Sequence, residues 1–320
     1  MLSKSFSFNP APWLPVKDAE LLTKARTFKR ADMEKLEFEN PEFKLTLVHD
    51  AQFYFVTDLF HQIRLSDIND KKLTVILPGH ENNLYISLTE VLNKYNVSCR
   101  NLHVFFLDEY ADENGNVAPL YYECGKYNQF MKHFYNKLRP ELRPAKDQIH
   151  PITTENIAHY SDMIDECGNG GADVMYTSVW WLGRIAGIDP DMPEFAADTM
   201  DEYLTKTSCV VTPSPESIAE ESLHGIFGCS GDIAAVPPKM ATIGPRDVAH
   251  ARDHVEVQFR GPCGMTASWQ RLISRLMFLG PVSQTVPASI LRLFKGRAYV
   301  NNTIAQDLVY PDDIPDPSKI

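Results

Sequence analysis

The stretch FFLDEYADENG, residues 105–115, places two adjacent carboxylates, Asp108 and Glu109, directly after an apolar run. Asp, Asn and Gly at the end of a strand are typical of a solvated turn, which is one interpretation of these acids. The other interpretation is chemical. Ligands of open α/β sheets bind at the carboxyl ends of the strands, where an acid is well placed to transfer a proton. The local sequence leaves both interpretations open.

Length and composition bound the class of protein. The chain has 320 residues, of which 44% are hydrophobic, enough for one large α/β domain or two small ones. Its formal net charge of -11 opposes nonspecific attraction to nucleic acid and to anionic membranes. We therefore expect a small-molecule partner, and neither nucleic acid nor membrane.

Targeting, metal and cofactor signals are absent from the sequence. No apolar run is long enough to cross a bilayer, and the first residues lack the apolar core and cleavage site of a secretory signal, so we expect a cytoplasmic protein. The six cysteines form no C-x-x-C pair and are expected to be reduced. No His/Asp/Glu cluster has metal-ligand spacing, and no glycine fingerprint for a dinucleotide follows the first two strands. The sequence thus predicts no metal and no cofactor.

Strand and helix patterns alternate along the chain. Predicted strands cover residues 43–50, 73–79, 102–108, 172–181, 241–244, 254–261 and 297–302. Predicted helices cover residues 18–28, 51–63, 86–96, 121–138 and 267–278. Because most of these strands are apolar almost throughout and alternate with helices, we expect an α/β fold: a mostly parallel, Rossmann-like sheet with helices on both faces.

Three regions are expected from the same patterns. Residues 1–42 are predicted to be an N-terminal extension with one helix, residues 43–305 the α/β domain, and residues 306–320 a Pro- and Asp-rich tail.

Taken in order, several segments resemble the glucosamine-6-phosphate deaminase/isomerase family, which is related to 6-phosphogluconolactonase. They are LTVILPG, FFLDEY, YYECGKYNQFMKHFY, DVMYTSV, VPPKMATIG, HVEVQFRG and ASILRLFKGRAYV. The resemblance covers about residues 43–302 and implies a sugar-phosphate isomerase fold. It also implies that Asp108, in the place of the family's DEY aspartate, is the base that moves a proton between C1 and C2 of the opened amino sugar. Glu109 beside it is a further catalytic candidate, either supporting Asp108 or belonging only to the turn.

The loop after the second strand departs from the family pattern. The family has a Gly- and Thr/Ser-rich phosphate-binding loop there, whereas LPGHENN has one glycine, no hydroxyl and an acid, Glu81. A carboxylate repels phosphate. Either Glu81 points away, or the ligand carries no phosphate, or binding falls to the remaining residues of the loop. The resemblance makes Gly79, His80, Asn82 and Asn83 the substrate-binding candidates.

A larger departure concerns the family's G-x-x-G-x-D-G-H-I-A-F-N-E-P segment. Its counterpart is TSVWWLGRIAGIDP, which puts Leu182 at the Asp, Arg184 at the ring-opening His and Asp189 at the Glu that orients it. Leucine cannot transfer a proton, and arginine stays protonated. The resemblance thus leaves Asp189 as a catalytic candidate, but this sequence lacks the family's usual acid/base pair.

Arg184 has several interpretations. It can be a surface arginine that stacks on Trp180 or Trp181 or pairs with Asp189, or it can bind an anion at the strand end. Arg260, near the end of a late strand, is a second candidate for anion binding.

Three functional hypotheses follow. The first, which the resemblance favours, is a divergent deaminase/isomerase-like enzyme of amino-sugar or sugar-phosphate metabolism that keeps Asp108 as its base. The second is a catalytically silent homologue that binds a sugar metabolite or another subunit, and the third is a lactonase-like hydrolase. In each case the expected partner is a small sugar or sugar phosphate, and a homo-oligomer is compatible with the family. The first hypothesis requires Asp108, Arg184 and residues 79–83 to line one open cleft.

Overall fold

The computed structural model describes residues 9–260 and 268–308. Its strands are β1 (Phe43–Val48), β2 (Leu73–Leu77), β3 (Leu102–Phe106), β4 (Asp108–Ala111), β5 (Ile149–His150), β6 (Val174–Thr177), β7 (Cys209–Val211), β8 (Lys239–Thr242), β9 (His254–Gln258) and β10 (Gly296–Asn301). Its α-helices are α1 (Ala19–Thr27), α2 (Arg30–Met33), α3 (Ala51–Asn69), α4 (Asn82–Tyr95), α5 (Lys126–His133), α6 (Tyr160–Gly168), α7 (Met200–Tyr203), α8 (Pro215–Glu221), α9 (Pro245–His250), α10 (Gln270–Leu279) and α11 (Asn302–Ala305). Short 3-10 helices occur in the connections.

Seven strands form one parallel sheet in the order β1-β10-β9-β6-β2-β3-β5. Every residue of the inner strand β2 is buried, which explains its mostly apolar sequence LTVIL. Helix α3 packs against β2, β9 and β10, and α6 packs against β2. The predicted α/β fold with a mostly parallel sheet is confirmed.

A second, antiparallel sheet has the order β4-β8-β7 and begins where the first ends. The predicted strand over residues 102–108 is in fact divided between the two sheets. The N–H of Leu107 donates to the carbonyl of Leu77, and the carbonyl of Leu107 accepts from the N–H of Ile243. Because Leu107 bonds to both sheets, Asp108 becomes the first residue of the second sheet, just past the carboxyl edge of the first.

Other elements differ from their predicted lengths at the ends that matter for the site. Helix α5 begins at Lys126 instead of residue 121, and β6 ends at Thr177 instead of residue 181. Helix α8 lies in the segment 190–235, for which no helix was predicted. These shorter elements leave room for long loops at the carboxyl edge of the sheet.

The N-terminal residues contribute to the packing. Asp18 caps α1 by accepting hydrogen bonds from the N–H groups of Glu20 and Leu21. Leu22 and Ala25 of this helix are buried, and α1 packs against α10. Among the residues that the structure describes, no helix combines the length and apolar character needed to span a membrane. Most of the predicted tail, residues 309–320, and residue 267 of the last predicted helix lie outside the described residues.

Candidate functional site

The candidate site lies at the carboxyl edge of the parallel sheet, where β9, β6, β2 and β3 are neighbours. Parallel strands end at the same edge, so the loops after them bring distant parts of the chain together. Helices α5 and α8 add residues from outside the sheet. The resulting group, which we call the edge cluster, consists of His80, Glu81, Asp108, Lys126, Trp180, Arg184, Glu221, His224 and Arg260.

Asp108 is ion-paired inside the protein. Its Oδ1 atom lies 2.7 Å from Nζ of Lys126, and the two side chains are only 7% and 1% exposed. The first residue of β4 therefore faces the first residue of α5 across a gap that solvent barely reaches. The carboxylate predicted to be a base is neutralised by a lysine that the sequence analysis did not identify.

Glu109 holds the start of α5 in place. Its carboxylate accepts hydrogen bonds from the backbone N–H groups of Tyr110 (2.9 Å), Lys126 (3.0 Å) and Tyr127 (2.8 Å). Burial raises the pKa of Glu109, and these hydrogen bonds oppose the rise. An acid at a helix N-terminus also interacts favourably with the helix dipole. Glu109 thus positions α5 and, with it, Lys126.

Arg184 pairs with Glu221 at 2.8 Å, and both side chains are fully buried. The other oxygen of Glu221 accepts a 2.9 Å hydrogen bond from the hydroxyl of Tyr110, and Lys126 Nζ lies 3.9 Å from Glu221 Oε1. Burial by itself raises the pKa of Glu221, but the charges of Lys126 and Arg184 outweigh burial and hold it well below its usual value. Burial likewise lowers the pKa of Arg184, but the charge of Glu221 and the other nearby acids raise it overall.

The interpretation of Arg184 as a surface residue is therefore wrong, and its ion-pair partner is Glu221, whereas the contact with Trp180 is present. Arg184 is drawn inside because a buried carboxylate, Glu221, and the face of Trp180 meet its charge there. Asp189 instead holds the start of α8: it accepts from the N–H of Ser214 (2.7 Å) and from the hydroxyl of Ser217 (2.6 Å). Its role in this structure is to hold the helix that carries Glu221.

The loop after β2 contributes unequally to the cluster. A Cβ atom on Gly79 would lie 2.4 Å from Cβ of Lys126, so this glycine allows α5 to approach the loop. The amide nitrogen of Asn82 donates to the side-chain oxygen of Gln129 at 2.8 Å. Asn83 is exposed and lies in a surface groove beside α3. The two asparagines are therefore outside the edge cluster.

Glu81 and Arg260 form a third, largely buried ion pair. The guanidinium of Arg260 lies 4.4 Å from the ring centroid of Trp180, and that of Arg184 lies 4.7 Å from it. Glu81 thus points into the edge and offsets the charge of Arg260. Arg184 and Arg260, the two predicted anion-binding residues, are therefore both already paired with carboxylates of the protein.

His80 is buried beside His224. Their ring centroids are 4.7 Å apart in an edge-to-face arrangement, and His224 stacks on Trp180 at 4.5 Å. Burial lowers the pKa of His80 well below its usual value and that of His224 to about 3, so both rings are neutral. Within the described parts of the chain, neither ring nitrogen of His80 has a hydrogen-bond partner.

Leu182, in the place of the family's aspartate, does not belong to the cluster. It has a left-handed backbone (φ 60°) and, with Trp181, lines an apolar cavity of about 290 Å³ formed with α10 and residues 10–16. A leucine side chain cannot transfer a proton, and Leu182 lines this apolar cavity instead of the edge cluster.

Lys126, Glu221 and His224 were not predicted as site residues from the sequence. Lys126 was hidden inside a helix predicted to begin five residues earlier. Glu221 and His224 lie in the segment 190–235, which appeared to have no regular structure. The sequence SPES at 214–217 was a usable signal, because Ser followed by Pro is typical of a helix start, and Ser214 does cap α8 there.

Comparison with solved structures places this geometry in context. A monomeric glucosamine-6-phosphate deaminase, described as a missing link of the NagB superfamily, is 16% identical, with a TM-score of 0.62, and the match covers 83% of this chain and 100% of that chain. The 6-phosphogluconolactonase of Thermotoga maritima is 13% identical, with a TM-score of 0.57 and coverage of 81% and 99%. That of Trypanosoma cruzi is 14% identical, with a TM-score of 0.57 and coverage of 86% and 99%.

The chain has the NagB-like fold. The resemblance inferred from the order of sequence segments is confirmed at the level of structure. No protein-family model matches the chain, and no curated protein matches it by sequence. At such low identity the NagB-like fold does not carry residue roles with it, so the roles in the edge cluster rest on the geometry of this chain.

Proposed function

We propose that this chain is a catalytically silent member of the NagB-like fold, unable to isomerise or deaminate an amino-sugar phosphate. A network of buried ion pairs replaces the open catalytic edge. The ion pair between Asp108 and Lys126 carries this proposal, because it engages the carboxylate that the resemblance assigns as the base.

A catalytic base needs a lone pair directed at the substrate and a path by which the substrate reaches it. Asp108 directs an oxygen at an ammonium group 2.7 Å away and is 7% exposed. Removing one partner of a buried ion pair typically costs about 3–5 kcal/mol. Binding of substrate would have to supply a comparable free energy before any chemistry began.

The ring-opening step is also unsupported. Leu182 has no proton to give, and Arg184 is charged, fully buried and bonded to Glu221. A lactonase-like reaction depends on the same segment of the family pattern, so these two residues weaken that hypothesis as well.

A second candidate keeps Asp108 as the base of an enzyme of amino-sugar or sugar-phosphate metabolism. The observation that favours it is convergence: Asp108, His80 and Arg260 follow three different strands and yet meet at one edge. This candidate requires Lys126 to move away from Asp108 when substrate binds. The ion pair makes it the less favoured of the two.

The deciding experiment assays the purified chain with a panel of amino sugars, hexose phosphates and 6-phosphogluconolactone. Ammonia release, solvent deuterium incorporation at C2 and lactone hydrolysis are measured, with a deaminase of the NagB superfamily as positive control. We expect no signal above the uncatalysed rate. Turnover that disappears in Asp108→Asn would overturn the proposal in favour of the second candidate. Turnover that persists in that variant would also overturn it and would locate the chemistry elsewhere.

A further inference from the structure

We propose that His80, His224 and Glu221 form a binding site for a transition metal ion, best suited to Zn²⁺. This inference does not depend on the proposed function, because the experiment below measures binding and not turnover. The nitrogen and oxygen donors of the three side chains all lie within 4.8 Å of one another.

His80 gives the main reason to look for a ligand. The residue is 8% exposed, and neither of its ring nitrogens has a hydrogen-bond partner among the described residues. A buried polar group without a partner typically costs about 1–3 kcal/mol. A metal ion bound to one ring nitrogen would remove much of that cost, whereas no described side chain does so.

The donor set fits zinc. Two imidazoles and one carboxylate are a common set of protein ligands for Zn²⁺ and leave a fourth position for water. Zinc–nitrogen bonds are about 2.0–2.1 Å long, so small side-chain movements would bring the three donors to bonding distance. His224 is the least buried of the three residues. The hydroxyl of Tyr110, which donates to Glu221, would orient the ligating carboxylate from behind.

Some charges around the site oppose the binding of a cation, and others favour it. Lys126 and Arg184 lie near Glu221 and oppose cation binding. Neighbouring carboxylates offset these charges, with Asp108 paired to Lys126 and Glu81 paired to Arg260. The three cationic side chains around the donors are thus matched in number by three carboxylates: Lys126, Arg184 and Arg260 against Glu81, Asp108 and Glu221.

A second group of donors, His103, His150 and Cys167, provides an internal control. There the ring nitrogens of His103 and His150 are hydrogen-bonded to each other at 3.3 Å. Those two atoms already satisfy each other, so nothing at this group calls for an ion. We expect it to contribute nothing to the affinity measured below.

The test titrates Zn²⁺ into the full-length protein, after dialysis against a chelator, in competition with a chromophoric indicator. We expect one tight site per chain. His80→Ala and His224→Ala should each weaken it by more than about 10-fold, the lower end of what even outer-shell changes cost, while His103→Ala should leave it unchanged. Absence of a stoichiometric site in the unaltered protein would overturn the proposal.

Substitution with Co²⁺ provides the second measurement, because the absorption spectrum of the ion reports its ligands. A tetrahedral spectrum in the unaltered protein and its loss in His80→Ala would support the site. Circular dichroism on each variant verifies that the chain is folded. A spectrum that survives in both His80→Ala and His224→Ala, or that is lost in His103→Ala, would show that the ion binds elsewhere and would overturn the assignment.

Discussion

Arg184 and Glu221 form a 2.8 Å ion pair with no solvent exposure, at the edge of the sheet where ligands of α/β folds bind. The pair joins the loop after β6 to the end of α8, and Glu221 extends it to Lys126 and Tyr110. The edge of this sheet is thus closed by charged side chains that satisfy one another.

Removing one charge of this pair should destabilise the fold. Arg184→Met leaves Glu221 buried without its main partner, so we expect the free energy of unfolding to fall by about 3–5 kcal/mol in urea denaturation. As a control, Arg139→Met breaks an exposed 3.3 Å pair with Glu141. It should change the free energy of unfolding by no more than about 1 kcal/mol. Equal effects of the two substitutions would contradict the description of a buried network.

Glu109 should matter for stability through α5. Glu109→Ala leaves up to three backbone N–H groups without their acceptor, each worth about 1–3 kcal/mol if it stays buried. We expect a loss of at least about 2 kcal/mol in the free energy of unfolding, measured by urea denaturation. Glu113→Ala, in the exposed loop that follows, should stay within about 0.5 kcal/mol. If Glu109→Ala is as well tolerated as Glu113→Ala, the capping role is wrong.

The contact between Gly79 and α5 predicts a steric effect. Gly79→Ala places a methyl group 2.4 Å from Cβ of Lys126 and 2.9 Å from its backbone, so the loop or the helix must shift. Overpacking of this kind typically costs about 1–3 kcal/mol of unfolding free energy. The matched control is Gly225→Ala, where nothing lies within 4 Å of the added atom. Thermal unfolding of the two variants should separate them, and similar midpoints would refute the close approach.

Stability should depend on pH through Glu256. This buried carboxyl accepts from the hydroxyl of Thr177 (2.6 Å) and the N–H of Val179 (2.7 Å), and burial raises its pKa from 4.5 to about 7. Between these values the unfolded chain has already lost the proton that the folded chain keeps. The free energy of unfolding therefore falls as pH rises through this range.

Glu256→Gln removes the titrating proton and should remove this fall. At about 1.4 kcal/mol per pKa unit, the variant should gain up to about 3 kcal/mol relative to the unaltered protein between about pH 4 and about pH 8. Urea denaturation at several pH values measures this difference in the free energy of unfolding, with the surface variant Glu166→Gln as control. A constant difference between Glu256→Gln and the unaltered protein at all pH values would contradict the raised pKa.

The fold was largely predictable because its signals are local. The apolar run of β2, the alternation of strands with helices and the order of the family segments each survive in the sequence, and the parallel sheet follows from them. Boundaries were less accurate where tertiary contacts intervene. Leu107 divides one apolar run between two sheets, and Glu109 sets the start of α5 from a distance in sequence.

The candidate site, like the fold, was predictable only where its features are local in sequence. By itself the sequence predicted that Asp108 follows a buried strand, and its resemblance to the family implied that Leu182 and Arg184 replace an acid and a base and that Glu81 lies in the place of a phosphate-binding loop. Only the tertiary structure decided that Lys126 neutralises Asp108, that Glu221 draws Arg184 inside and that His80 meets His224. These partners lie 18 to 144 positions apart in the chain, and spacing along a sequence carries no record of which buried charge will find which. Their pairing is set by the cost of leaving any one of them alone in the interior.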